Sequence, residues 1–293
     1  SLALQEHLRA RGKLALEALL PLRATVPAGA SDGAARRVTL HVRNNAAALA
    51  QYFGKLDYRL AAVRSGADVP RVYLSELPRD LDELAPIGLR KSLFLRVVLP
   101  LIVQENERLR AERARLLALR QRLGHGDRLG AAERLWLERL CDRYAVEPGD
   151  LGALLRRVDA IPPSLALAQA ATESAWGTSR FVQEGNALFG MWTWSKAVPG
   201  LVPRERDEEA SHRVRSFATL DASVRAYVHT LNTHWAYREF RERREALRHQ
   251  GRPLTGLGLA SAVSRYSEQR EVYTVRLRTL IRGNGLHRLD RTT

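Results

Sequence analysis

A single cysteine, Cys141, occurs in 293 residues, so no disulfide can close within the chain, and no Cys/His spacing suits a structural zinc site. His229 and His234 fall five apart on a predicted helix, which turns them to different faces and denies them a shared metal. The motifs therefore call for no metal and no cofactor. Long apolar runs are missing as well. The longest, Leu93 to Val103, is interrupted by Arg96 and Pro100 and falls short of the roughly 20 residues that cross a bilayer, so no transmembrane segment is expected. No internal repeat is visible at the roughly 20–50-residue period of solenoids and propellers. The first residue is Ser1 rather than Met, as in a trimmed or mature form whose targeting segment lies upstream.

Acidic residues are the minority. Lys and Arg number 47 against 32 Asp and Glu, a formal charge of +15 with a pI near 10.8. That balance attracts polyanions, whether nucleic acid, anionic lipid or the acidic polymers of a bacterial wall, and does not choose among them. The bases are nearly all Arg, which a GC-rich genome explains as readily as selection for phosphate contacts. With 45% hydrophobic residues the chain is globular, and its length leaves room for two domains.

Helical spacing runs from Leu2 to Leu22, and the Ala-, Gly- and Pro-rich stretch Ala24 to Gly33 reads as a linker. A second helix is predicted from Asn45 to Ser65, then turns around Pro70, Pro78 and Pro86 with Arg71 to Leu74 extended. The helix over Leu89 to Leu123 should be kinked or split by Pro100. Its second half, Asn106 to Arg115, carries charge of both signs, as a solvated helix face does; the interleaved glutamates weaken any field for nucleic acid. Gly124-His125-Gly126-Asp127 marks a domain boundary, giving a helical amino-terminal region over 1–125 and a second domain over 126–293. Helices are predicted at Ala131 to Tyr144, with Cys141 a core residue, and at Pro148 to Val158. Ala187 to Trp194 and Ser211 to Phe217 read as extended, a small β-hairpin lobe. Asp221 then caps a helix through Leu231, and further helices follow at Tyr237 to Gln250, Leu257 to Val263 and Glu268 to Arg282, the last stopped by Gly283-Asn284-Gly285.

The most informative stretch is Ala171-Thr172-Glu173-Ser174-Ala175-Trp176-Gly177. It closes a helix opened by Pro162-Pro163, capped by Ser164 and stopped by Gly177, with hardly any polar face. A helix apolar all round is normally buried. Glu173 then sits where burial and the partial negative charge of the helix end both favour the protonated carboxyl, the form a general acid requires. A helix-terminal Glu pointing into water is the plain alternative. Three of the five tryptophans, Trp176, Trp192 and Trp194, follow closely, the last two on one face of an extended segment. Indole faces suit sugar rings as well as cores.

The run Gln169 to Gly177, followed by Asn186 to Gly190, resembles the signature of the bacterial glucosaminidase family, which contains flagellar and autolytic peptidoglycan hydrolases. The chain is most similar to the Bax-type envelope proteins of that family, unrelated to the apoptotic protein of that name. The likeness extends over Val69 to Leu74, Arg90 to Phe94, Leu99 to Ile102, Leu201 to Pro203, Arg206 to Glu208 and Arg265 to Ser267, so it spans most of the chain.

The resemblance implies a mostly α, lysozyme-like helical catalytic domain with a small β-hairpin lobe, preceded by a helical amino-terminal region. It implies cleavage of peptidoglycan glycan strands at the β-1,4 bond after N-acetylglucosamine, with Glu173 as the acid. A tyrosine that the family sets near the cleaved bond maps to Tyr266, and a second acid of the hairpin lobe to Glu208, with Glu205 and Glu209 close enough to compete for that part. Trp176, Asn186, Phe189, Trp192 and Trp194 are the expected substrate contacts. A location in the periplasm or cell envelope and an envelope protein docked through the amino-terminal helices complete the implied picture. The rival readings are a lytic transglycosylase, a non-catalytic wall-binding scaffold and, on charge alone, nucleic-acid binding, which is not expected.

Overall fold

The computed structural model describes residues 23–25, 38–41, 45–204 and 211–292. They fall into two compact units: the described residues up to Leu101 with Gln169–Val224, and Ile102–Ala168 with Arg225–Arg291. The predicted helix over Leu2–Leu22 lies outside the described residues, as does the linker from residue 26. Ala24 and Thr25 do not belong to a linker. They lie in β1 (Arg23–Thr25), paired antiparallel with β2 (Val38–His41), which pairs in parallel with β3 (Val72–Leu74), the extended piece expected at that position.

In the first unit Asn45 starts α1 (Ala46–Lys55), its side chain accepting the Ala48 amide at 3.0 Å, while Asp80 accepts the Ala46 amide at 3.0 Å. Two of the four orphan donors of the first turn are thus satisfied. The single helix predicted to Ser65 is broken at Asp57, where φ is 54°, and resumes as α2 (Leu60–Arg64). By contrast α3 (Ile87–Gly124) runs through Pro100 as a single helix and is not split there. Leu93 to Leu101 are buried on every side, and that packing outweighs the missing hydrogen bond. The predicted hairpin proves to be a three-stranded antiparallel sheet, in the order β4 (Trp192–Thr193), β6 (Arg213–Arg215), β5 (Gly200–Leu201), with β5 arising between the two predicted strands.

In the second unit lie α4 (Ala131–Tyr144), α5 (Leu151–Arg157), α9 (Arg238–His249), α10 (Gly256–Leu259) and α11 (Arg270–Gly283), with 3-10 turns at Trp235–Tyr237, Ala260–Tyr266 and Leu286–Arg291. The remaining helices are α6 (Pro163–Glu173), α7 (Arg180–Gly185) and α8 (Leu220–Thr233). Thr219, not Asp221, caps α8, accepting the Ala222 amide at 3.2 Å. Cys141 is a buried free thiol of α4, as a core residue should be.

A carboxylate organises this second core. Asp159 accepts from Arg248 at 2.7 Å, faces the fully buried Arg244 at 3.7 Å and Arg113 at 3.8 Å, and its backbone carbonyl takes the Asn232 amide at 3.0 Å. Burial alone pushes the Asp159 carboxyl up, but the guanidiniums of Arg244, Arg248 and Arg113 outweigh it and hold the group below the ordinary range. Asn106, read from the sequence as part of a solvated face, is instead wholly buried. Its side chain donates to the Ile161 carbonyl at 2.7 Å and accepts the Ile161 amide at 2.9 Å. These bonds fix the segment that leads into α6. Mostly helical with one small antiparallel lobe sheet, the chain is consistent with a lysozyme-like, mostly α fold. Among the described residues, no helix is long and apolar enough to cross a membrane.

Candidate active site

Leu165 to Ala171 of α6 are buried to the last residue, Gln169 included, so the helix has no solvent face until its final turn. Its start is not capped by Ser164. The Ser164 amide and hydroxyl both donate to Asp290, at 2.9 and 2.8 Å, and the Gly256 amide donates to Asp290 at 3.1 Å. An acid 126 residues away thus does the capping. Burial raises the Asp290 carboxyl above its usual range, and these three bonds oppose the shift without cancelling it.

The helix ends at Glu173 and reverses at Ala175, two residues before the expected stop at Gly177. Ala175 takes the left-handed conformation, φ 50°, and the Trp176 amide reaches back to the Ala171 carbonyl at 2.9 Å, a Schellman-type closure with alanine where glycine is usual. Trp176 (φ 59°) and Gly177 (φ 84°) continue left-handed. The Ser174 hydroxyl steadies the turn, donating to the Ala170 carbonyl at 2.6 Å and accepting the Gly177 amide at 2.9 Å. Gly177 is also the point of closest packing, since a β-carbon there would come within 2.7 Å of Leu77, 2.8 Å of Phe94 and 2.9 Å of Leu81.

This turn sets Glu173 half-buried at the helix end, neither sealed in the core nor immersed in solvent. Its carboxyl lies beside Gly190, where φ is 57°. Trp176 is half-buried, edge-on to Phe94 with centroids 5.9 Å apart, and the Lys91 ammonium stands 4.8 Å over its ring. Trp192 and Trp194 are 54% and 64% exposed and meet edge to face at 6.0 Å, and His212 stacks on Trp192 at 4.4 Å. The three rings form a ledge on the lobe sheet, with indole surface open to solvent.

Two of the expected contacts also serve the frame. Phe189 is 1% exposed. Asn186 closes α7 in the left-handed conformation and donates to the Phe217 carbonyl at 3.1 Å, which ties the lobe to the helix. Glu205, Glu208 and Glu209 lie outside the described residues. Tyr266 belongs to the second unit, where it forms a cluster with Tyr227, Tyr237 and Tyr273 at centroid distances of 6.3, 6.1 and 6.1 Å. The first unit therefore gathers Glu173, Trp176, Asn186, Phe189, Trp192 and Trp194, and the second holds Tyr266. His212 escaped the sequence reading, and Lys91 entered it only within the Arg90 to Phe94 likeness: a lone lysine in a helix and a histidine before a short strand carry no pattern of their own.

Residues 153–286 match the model of the family Glucosaminidase, described as mannosyl-glycoprotein endo-beta-N-acetylglucosaminidase. The chain is 35% identical over 193 residues to the protein named "Protein bax" of Escherichia coli (strain K12), a match that takes in 63% of this chain and 66% of that one. It thus spans just under two thirds of the length of that relative. No solved structure matches the chain significantly.

Proposed function

Because the chain belongs to the bacterial glucosaminidase family and is of the Bax type, we propose that it is a cell-envelope glycosidase that hydrolyses peptidoglycan at the β-1,4 bond after N-acetylglucosamine. The observation that carries this reading is the half-buried Glu173 at the end of an otherwise buried helix, within the family-matched residues. The negative end of α6 favours the neutral, proton-bearing form of an acid at this position. Glu173 donates that proton to the glycosidic oxygen as the bond to the anomeric carbon breaks, and a water supplies the new hydroxyl. The Trp192 and Trp194 ledge, together with Trp176, supports the apolar faces of the sugar rings.

In this proposal Glu208 directs the water and inverts the anomeric configuration, or the acetamido group of the sugar attacks and the configuration is retained. Tyr266 orients that acetamido group or steadies the developing charge, a role taken from the resemblance. The deciding experiment is mass spectrometry and anomer analysis of purified wall digested by the native chain and by Glu173→Gln. Reducing N-acetylglucosamine ends that vanish in the variant support hydrolysis. Anhydro ends would replace it with transglycosylation, and wall binding without released sugar would replace it with a scaffold.

A further inference from the structure

Trp235 is 72% exposed, more than any other large hydrophobic side chain among the described residues. It stands on a short, firmly held 3-10 turn and not on a loose loop. The buried Arg241 donates to the carbonyls of Leu231 and His234 at 3.0 and 2.9 Å, and the His234 ring accepts the Ala236 amide at 3.3 Å. An indole kept in water on a rigid support loses little entropy when something covers it.

The neighbours of Trp235 suggest what covers it. Arg265, itself exposed, holds its guanidinium over the indole, 5.8 Å from the ring centre, and two residues along the turn Tyr237 meets Tyr266 at 6.1 Å. The exposed ring and its cation are thus joined to the segment that carries Tyr266, all within the second unit. An indole that remains 72% exposed with a fork of N–H donors over part of its ring matches a sugar ring that bears a carboxylate. A neutral sugar would leave the cation unused, and an apolar partner would have to desolvate it.

We propose that Trp235 and Arg265 form a glycan subsite, the indole stacking on a pyranose ring and the guanidinium pairing with an anionic substituent, such as the lactyl carboxylate or the peptide it carries in wall glycan. The assignment builds on the peptidoglycan reading above and deepens it: the second unit selects the carboxylated sugar of the alternating polymer.

Binding by the full chain carrying Glu173→Gln tests it without turnover, by calorimetric titration with two probes of equal length, a neutral N-acetylglucosamine oligomer and a carboxylated wall glycan. Adding Trp235→Ala should weaken both by about fivefold. Adding Arg265→Gln should weaken only the carboxylated probe. Unchanged affinities in the Trp235 variant, or equal losses for both probes in the Arg265 variant, overturn the subsite. Thermal melting confirms that each variant folds, which the exposure of both side chains favours. The two readings separate cleanly. A native chain that releases no sugar yet shows this binding pattern sinks hydrolysis and keeps the subsite, whereas Glu173-dependent release with Trp235-independent binding does the reverse.

Discussion

The carboxyl of Glu173 rests against the bare face of Gly190: a β-carbon on the glycine would stand 3.4 Å from Oε2 and 3.7 Å from the glutamate's own Cβ. The glycine is left-handed as well, with φ 57°. A side chain here would strain the backbone and bring a methyl group into ordinary van der Waals contact with the acid.

Gly190→Ala is therefore expected to lower stability by about 1–2 kcal/mol, the ordinary effect of a β-carbon in this conformation. Turnover of the folded variant should change less than stability, because the added methyl meets the Glu173 carboxyl at an ordinary contact distance. Urea unfolding and wall-clearing rates measured side by side check this. A rate loss that exceeds the loss of stability would show that Glu173 depends on the bare face of the glycine.

Gly177→Ala should be the more damaging glycine change for the fold. The left-handed backbone contributes about 1–2 kcal/mol, and collision with Leu77, Phe94 and Leu81 about 1–3 kcal/mol more. The denaturant midpoint reads the sum.

Trp192→Ala and Trp194→Ala should leave the melting temperature nearly unchanged, since both rings are more than half exposed. Each should weaken glycan binding by about 1 kcal/mol, a roughly fivefold rise in KM with kcat preserved. Loss of kcat alone would place the rings in chemistry and not in binding.

Asp159→Asn should destabilise the protein by about 3–5 kcal/mol, because Arg244, only 1% exposed, would keep its charge without a counter-ion. Calorimetric melting at neutral pH measures it.

Buried Asp159 and half-buried Asp290 predict opposite pH responses. Asp159 titrates below the ordinary range, so its contribution is present above about pH 4 and lost as pH falls through its depressed folded value. Asp290 titrates above that range, so its contribution is complete below about pH 4 and lost as pH rises through its elevated folded value. The difference in unfolding free energy between the native chain and Asp290→Asn should therefore shrink with rising pH, whereas the Asp159→Asn difference should grow.

How far the sequence reveals this molecule depends on whether a feature is local. The helix ending at Glu173 is legible because its prolines and its unbroken apolar run are read within a dozen residues, and the lobe because its residues alternate. The cap on that helix is not legible, since Asp290 is remote and only folding brings it to Ser164. The stop is hidden for another reason: Ala175 and Trp176 carry no mark of left-handed backbone, so Gly177 draws the assignment. Pro100 misleads because a helix-breaking signal is weighed without the packing that overrides it. At the site, acid and indoles could be named from their types. That Phe189 lies inside and Trp192 and Trp194 outside could not, because an aromatic run has the same composition on either side of a surface.

The left-handed run from Ala175 to Gly177 makes the distance from acid to indole a property of backbone torsion and not of side-chain reach. Anyone wishing to transplant this acid into another scaffold would have to carry the whole reversal, together with the leucine and phenylalanine cradle that admits a hydrogen where other residues bear carbon. Moved alone, the glutamate would be a carboxyl at the end of a helix, with no fixed platform beside it.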